Sequence, residues 1–161
     1  MGLILPEIQQ NRKSAMDEII NIICERLEKS KLIRYAERNC GQLLAEQPQV
    51  NFPCCLVDIV LVEFEQAGMG GQTAVADIEF TFADLYSAKH NHSVLSVIDA
   101  AHQLLQGWGC HCFTPLFRTS LRRSSATPGY DEYVVTYRTS FFVPKVQRTV
   151  EVLAEPSVVV E

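Results

Sequence analysis

The stretch from Phe52 to Asp84 constrains the fold of this chain more than any other. It contains two apolar runs, Cys54–Phe64 and Thr73–Phe82, separated by a loop with Gly68, Gly70 and Gly71. Val, Ile and Phe dominate both runs, and such side chains suit a pleated, half-buried surface. In the second run Ala74, Ala76, Ile78, Phe80 and Phe82 alternate with Asp77, Glu79 and Thr81, the period of a strand with one wet face. The first run alternates less cleanly. Leu56, Val60, Val62 and Phe64 share one face and Val57, Ile59 and Leu61 the other, as in an interior strand covered on both sides. Glycines between the runs permit the positive φ angles of a reversal, so the pair is expected to form a long β-hairpin.

A chain of 161 residues holds one domain, or one domain and a tail. It buries enough surface to fold without a metal or disulfide staple. The expected organisation is a leader over residues 1–13, a single α+β domain over 14–143, and a C-terminal strand or arm with a tail over 144–161. The net charge of −5 argues against a general nucleic-acid binder, whose affinity rests on Lys and Arg. The acid is concentrated early: residues 1–99 carry 8 Lys+Arg against 14 Asp+Glu, and residues 100–161 carry 6 against 5. No apolar run approaches the ~20 residues of a membrane span. Met1–Pro6 has neither the basic start nor the cleavage site of a secretory signal. The six cysteines are therefore expected to be reduced thiols, and Asn91-His92-Ser93 a chance sequon.

Ser14 caps an expected helix over Ser14–Lys29, with Asp17 as a weak capping-box acid and Met16, Ile19, Ile20, Ile23 and Leu27 as its apolar stripe. Leu32–Glu37 reads as a short edge strand and Gly41–Glu46 as a helical turn. Asn91 or Ser93 caps a second helix with the stripe Val94, Val97, Ile98, Ala101 and Leu105, stopped by Gly107. Two long strands follow, Phe113–Arg123 and Tyr130–Val143, joined by Ser124–Gly129. The first places Phe117, Thr119 and Leu121 opposite Arg118, Ser120 and Arg122. Lys145–Leu153 reads as a further strand or an arm. The fold class is α+β: an antiparallel or mixed sheet of four to five strands, with two main helices on one face.

Chemistry-bearing residues are sparse. His90, His92, His102, Cys110, His111 and Cys112 are zinc-ligand types, but consecutive Cys-His-Cys is not a C-x₂₋₄-C pair and no second pair follows at zinc-ribbon distance. On an extended segment Cys110 and Cys112 also suit half-buried strand positions. The expectation is a chain with no metal and no cofactor. A thiol enzyme would need Cys40, His102 and Asp99 together, and no catalytic signature surrounds them. Cys54-Cys55 reads as packing. The loop Gly68–Gln72 lacks the lysine and helix of a phosphate loop. Arg118, Arg122, Arg123 and Arg138 on the last two strands form either a solvated sheet face or a charged surface that meets another subunit or nucleic acid. Asp58, Asp77 and Glu79 on the hairpin would complement that surface across subunits, since interfaces match potentials.

The order of these elements, with the segment Leu32–Leu43, the patches Gly41-Gln42-Leu43, Phe52-Pro53-Cys54-Cys55-Leu56-Val57 and Pro115-Leu116-Phe117-Arg118, a helix ending near Trp108 and a Tyr/Val-rich last strand, resembles small tail-terminator, or tail-completion, proteins of long-tailed phages and prophages. The resemblance covers about Ser14–Val143. It implies a structural protein without catalytic residues. Such proteins form a ring, a hexamer by family analogy, that caps the tail tube, stops its polymerisation and faces the head connector. The partners it implies are further copies of the chain, the tail tube protein and the head–tail connector protein, with no membrane and no specific nucleic acid. The place it implies is the bacterial host cytoplasm during assembly, then the virion tail. The competing class is a small cytoplasmic enzyme, or a metal- or ligand-binding α+β domain, using the Cys/His segment near residues 102–112.

Overall fold

The computed structural model describes residues 14–86, 93–125 and 127–146. The leader, His90, Asn91 and His92, and all but the first residues of the C-terminal segment lie outside them. The elements in chain order are α1 (Ala15–Leu27), β1 (Tyr35–Arg38), a 3₁₀ turn (Gln42–Leu44), β2 (Cys54–Gln66), β3 (Gln72–Leu85), α2 (Val94–Leu105), β4 (Phe117–Ser124) and β5 (Tyr130–Val143). The five strands form one sheet in the order β1-β2-β3-β5-β4. All neighbours are antiparallel except β1 and β2, which are parallel, so the sheet is mixed.

Both helices start where local chemistry places them. Ser14 Oγ accepts the Asp17 N–H at 3.1 Å and Ser93 Oγ accepts the Ser96 N–H at 3.3 Å, each satisfying an otherwise orphaned donor of a first turn. Ile19, Ile20, Ile23, Cys24 and Leu27 of α1 are buried, as are Val94, Val97, Ile98, Ala101 and Leu105 of α2. Met16 is more exposed than its place in the expected stripe implies. Gly107, at φ +74°, ends α2 in the left-handed region. The hairpin loop reverses through Gly68 and Gly70, both at positive φ, closed by Ala67 N–H donating to Gly71 O at 3.0 Å.

The two helices pack on one face of the sheet against Cys55, Val57, Ala74, Ala76, Ile78, Phe80, Phe82, Val135, Tyr137 and Phe141. The alternation read for β3 therefore faces as expected, and Val135, Tyr137 and Phe141 of β5 face the same way. Each fully buried Ile, Leu or Phe there contributes about 1.5–3 kcal/mol. On the opposite face Leu43, Cys54, Leu56 and Ala83 form a second, smaller cluster.

Two β-bulges overturn the facing expected for β2 and β4. The β2–β3 register shifts between Ile59 and Leu61, and the β4–β5 register between Arg118 and Ser120. An extra residue in one strand reverses the face of everything beyond it. Val57 and Ile59 thus share the helix-bearing face with Val62 and Phe64, which lie opposite Ala76 and Ala74. In β4, Arg118 and Leu121 face the helices opposite Tyr137 and Val135, while Phe117, Ser120 and Arg122 face away. The interior position expected for β2 also holds only in part. β1 pairs with Cys54–Val57, and no ladder among the described residues covers the outer edge of β2 beyond Val57. Finally, β4 starts at Phe117 rather than Phe113, because the segment before it folds back on Trp108 and touches β5 only through Thr114 instead of continuing the ladder.

Candidate functional site

The opposing charges assigned by sequence to a contact between subunits meet within one chain. Asp77 lies directly opposite Arg138 in the β3–β5 ladder. The Arg138 guanidinium donates Nε–H to Asp77 Oδ1 at 2.9 Å and an Nη2–H to Oδ2 at 3.3 Å, a two-pronged pair on the helix-free face. That carboxylate raises the Arg138 pKa further above its usual value. Arg122, placed on the same face by the Thr119 bulge, reaches Glu79 at 3.6 Å. Asp58 Oδ1 accepts the adjacent Ile59 N–H at 3.0 Å. Cross-strand pairs of opposite charge contribute roughly 0.2–1 kcal/mol each and help set register. Within one chain the partners of Asp77, Glu79, Arg122 and Arg138 are one another, because β5 lies between β3 and β4 and brings both sets onto one surface; their role across subunits stays an expectation.

Arg118 belongs to a different neighbourhood. Its backbone N–H donates to Gln106 Oε1 at 2.9 Å, tying β4 to the end of α2. His102 Nδ1 lies 2.8 Å from the Tyr137 hydroxyl, and Tyr137 is buried with its pKa pushed up to about 12 by desolvation. The Arg118 charge lies near the same hydroxyl and offsets part of that rise. Desolvation, and next the Arg118 charge, hold the His102 pKa below 6.5. Cys40 is exposed just after β1, at the end of the sheet away from β5, and His102 bonds Tyr137 rather than any thiol among the described residues. The Cys40–His102–Asp99 constellation is not assembled.

Two sheet edges are open among the described residues. One is β2 beyond Val57, carrying Glu63 and Glu65 with exposed Val60, Leu61 and Phe64. The other is β4, carrying Arg118, Arg122 and Arg123 with exposed Phe117 and Leu121. They lie on opposite sides of the sheet. Arg123 contacts the Tyr86 hydroxyl at 3.0 Å and Asp131 at 3.7 Å, and its guanidinium sits 5.9 Å from the Tyr133 ring centroid.

A second feature is the segment between α2 and β4, which closes on itself. Gly107 N–H donates to Leu116 O at 2.7 Å, Leu116 N–H to Trp108 O at 2.9 Å, and Cys110 N–H to Phe113 O at 3.1 Å. Thr114 N–H donates to Ser140 O at 2.8 Å, fastening the hook to β5. Gly109 is required for this closure: a Cβ there would stand 2.7 Å from Pro115 N and 2.9 Å from the Thr114 carbonyl carbon. Cys110, His111 and Cys112 therefore occupy a tight turn, not the extended segment expected from sequence. Their ligand atoms all lie within 4.8 Å of one another. Cys112 N–H donates to Cys110 Sγ at 3.3 Å. The turn lines a cleft of about 560 Å³. Glu18, on the first turn of α1, is a charged neighbour of the Cys112 thiol. Desolvation pushes that thiol up to about 11, helped by the neighbouring Glu18 charge and by Cys110. Sequence reasoning missed Glu18, since nothing local links it to a turn more than ninety residues away.

Of the other thiols, Cys24, Cys54 and Cys55 are buried and Cys40 is exposed. Cys54 and Cys55 are fully buried, and desolvation pushes Cys54 up to about 12 and Cys55 well above its ordinary value. All six cysteines are free, and no helix among the described residues is long and apolar enough to cross a membrane. The chain matches no model of a known protein family, and a search of curated proteins finds no match.

Proposed function

We propose that this chain is a structural protein of a phage or prophage tail, terminator-like, whose copies close into a ring that caps the tail tube and faces the head connector. It is not an enzyme in this reading. It acts in the bacterial host cytoplasm during assembly and then in the virion tail. The resemblance over Ser14–Val143 supplies the family, and one observation carries the assembly reading. Two open edges of one sheet, on opposite sides of the subunit, bear opposite charge and exposed apolar side chains. Open edges with apolar side chains invite pairing with another chain. When the two surfaces differ, the contact is head-to-tail, and it closes into a ring if the rotation per subunit divides the circle. The intramolecular pairs of Arg122 and Arg123 are exposed and long, so they hold these side chains weakly and leave them able to exchange partners. Glu63 and Glu65 on the β2 edge are the acids that such a contact brings to them.

The test is solution mass of the full chain at low salt, alone and with the tail tube protein, together with negative-stain imaging. Phe64→Lys on one edge and Leu121→Lys on the other should each weaken association while leaving the subunit folded, because lysine blunts an edge. Charge reversal of Arg122 and Arg123 should act in the same direction and lose its effect at high salt. A strict monomer under every condition, including with tube present, defeats the ring. A ring indifferent to all these variants leaves the assembly standing and removes the edge contact.

A further inference from the structure

We propose that the hook between α2 and β4 is a binding site for a soft divalent metal ion, Zn²⁺ by its donor set, held by Cys110 Sγ, Cys112 Sγ and a ring nitrogen of His111, with the Glu18 carboxylate closing the fourth position. This inference is independent of the ring reading. It reverses the sequence-based expectation, which rested on ligand spacing and on an extended backbone for the two thiols. In a strand the central residue of Cys-His-Cys points away from its neighbours. In this turn it does not, and the three donor atoms lie within 4.8 Å of one another. In a tetrahedral zinc site two sulfurs at ~2.3 Å from the metal are about 3.8 Å apart, so at most a small contraction completes the geometry.

Three further features fit a ligand turn. The backbone is preformed, because the hook is closed by its own hydrogen bonds, fastened to β5, and packed too tightly at Gly109 for any side chain. Little ordering entropy is therefore left to oppose binding. The Cys112 N–H points at Cys110 Sγ, a donor that steadies a metal-bound thiolate. The donor set of two thiolates, one imidazole and one carboxylate suits Zn²⁺ and disfavours Mg²⁺ or Ca²⁺. Binding would release the thiol protons and clip the hook to the first turn of α1 through Glu18.

The experiment uses the full chain, reduced with a non-chelating phosphine and stripped of metal, titrated with Co²⁺ as a spectroscopic probe and then with Zn²⁺. The expected result is one Co²⁺ per chain, with thiolate-to-cobalt charge transfer and tetrahedral d–d bands, displaced by Zn²⁺. Cys112→Ser should weaken binding by at least ~100-fold and Glu18→Gln by ~10-fold, within the range seen for removal of ligand-supporting groups. Cys40→Ser, at an exposed thiol elsewhere, should leave it unchanged. Zn²⁺ should also shield Cys110 and Cys112 of the unaltered chain from alkylation while Cys40 still reacts, a readout that needs no variant to fold. Absence of a charge-transfer band overturns the proposal. So does binding that survives the Cys110→Ser, Cys112→Ser double variant, or alkylation of Cys110 and Cys112 that Zn²⁺ does not slow.

Discussion

Replacing Phe80 by alanine should remove a large share of the stability of this fold. Phe80 lies at the middle of β3, fully buried, between Val57 on β2 and Val135 on β5. Its ring stands edge-on to Tyr137, with centroids 5.1 Å apart. A buried aromatic removes roughly 150–250 Å² from water, and losing about 150 Å² of it at ~25 cal/mol per Å² costs about 4 kcal/mol. The edge-on contact adds about 0.5–1.5 kcal/mol. Collapse into the vacated space is restricted, because the Tyr137 hydroxyl is tied to His102. The expected loss is therefore about 4–5 kcal/mol, at the upper end for a buried phenylalanine. Total stabilities of such domains run from about 5 to 15 kcal/mol, so the variant should be marginal at room temperature. Urea denaturation followed by far-UV circular dichroism measures the difference, with Leu44→Ala as the exposed control expected to shift by no more than about 0.5 kcal/mol. A Phe80→Ala loss below 1 kcal/mol would show that the ring does not sit between the sheet and its helices.

Alkaline pH should unfold the protein early. Cys24 and Cys54 titrate near 12 in the folded chain against 9.0 in an unfolded one, and Tyr137 near 12 against 10.0. The unfolded state releases these protons first, so stability is complete below about pH 9 and falls by about 1.4 kcal/mol per pH unit per group between the two values. The urea midpoint should drop steeply from pH 9 to 11, less so in Cys54→Ala, and a flat midpoint contradicts the burial of these groups. At acid pH the sign is reversed for His102: its folded pKa lies below 6.5, so its contribution is present above 6.5 and is lost as pH falls through the folded value. Arg118→Gln should raise the His102 midpoint seen by NMR, and an unchanged midpoint would remove Arg118 from this network. Gly109→Ala should cost about 1–3 kcal/mol through overpacking of the hook against Pro115, measurable by thermal melting, whereas Gly129→Ala meets no neighbouring atom and tests backbone strain alone.

The sequence alone determined what depends on near neighbours. Serine caps at 14 and 93, apolar stripes at helical spacing, the glycine-bearing hairpin loop and the alternation of β3 and β5 are local patterns, and each stands where its physics puts it. Tertiary structure decided the rest. Bulges at Val60 and Thr119 are single extra residues in otherwise regular runs, defined only by the partner strand, and each reverses every side chain beyond it. Insertion of β5 between β3 and β4 is a matter of topology rather than of any residue type, and it brings Asp77 to Arg138 and Glu79 to Arg122 within one chain. The Cys-His-Cys turn and its Glu18 neighbour belong to the same class. Their meeting depends on a backbone closure and a helix packing that no short window of sequence contains.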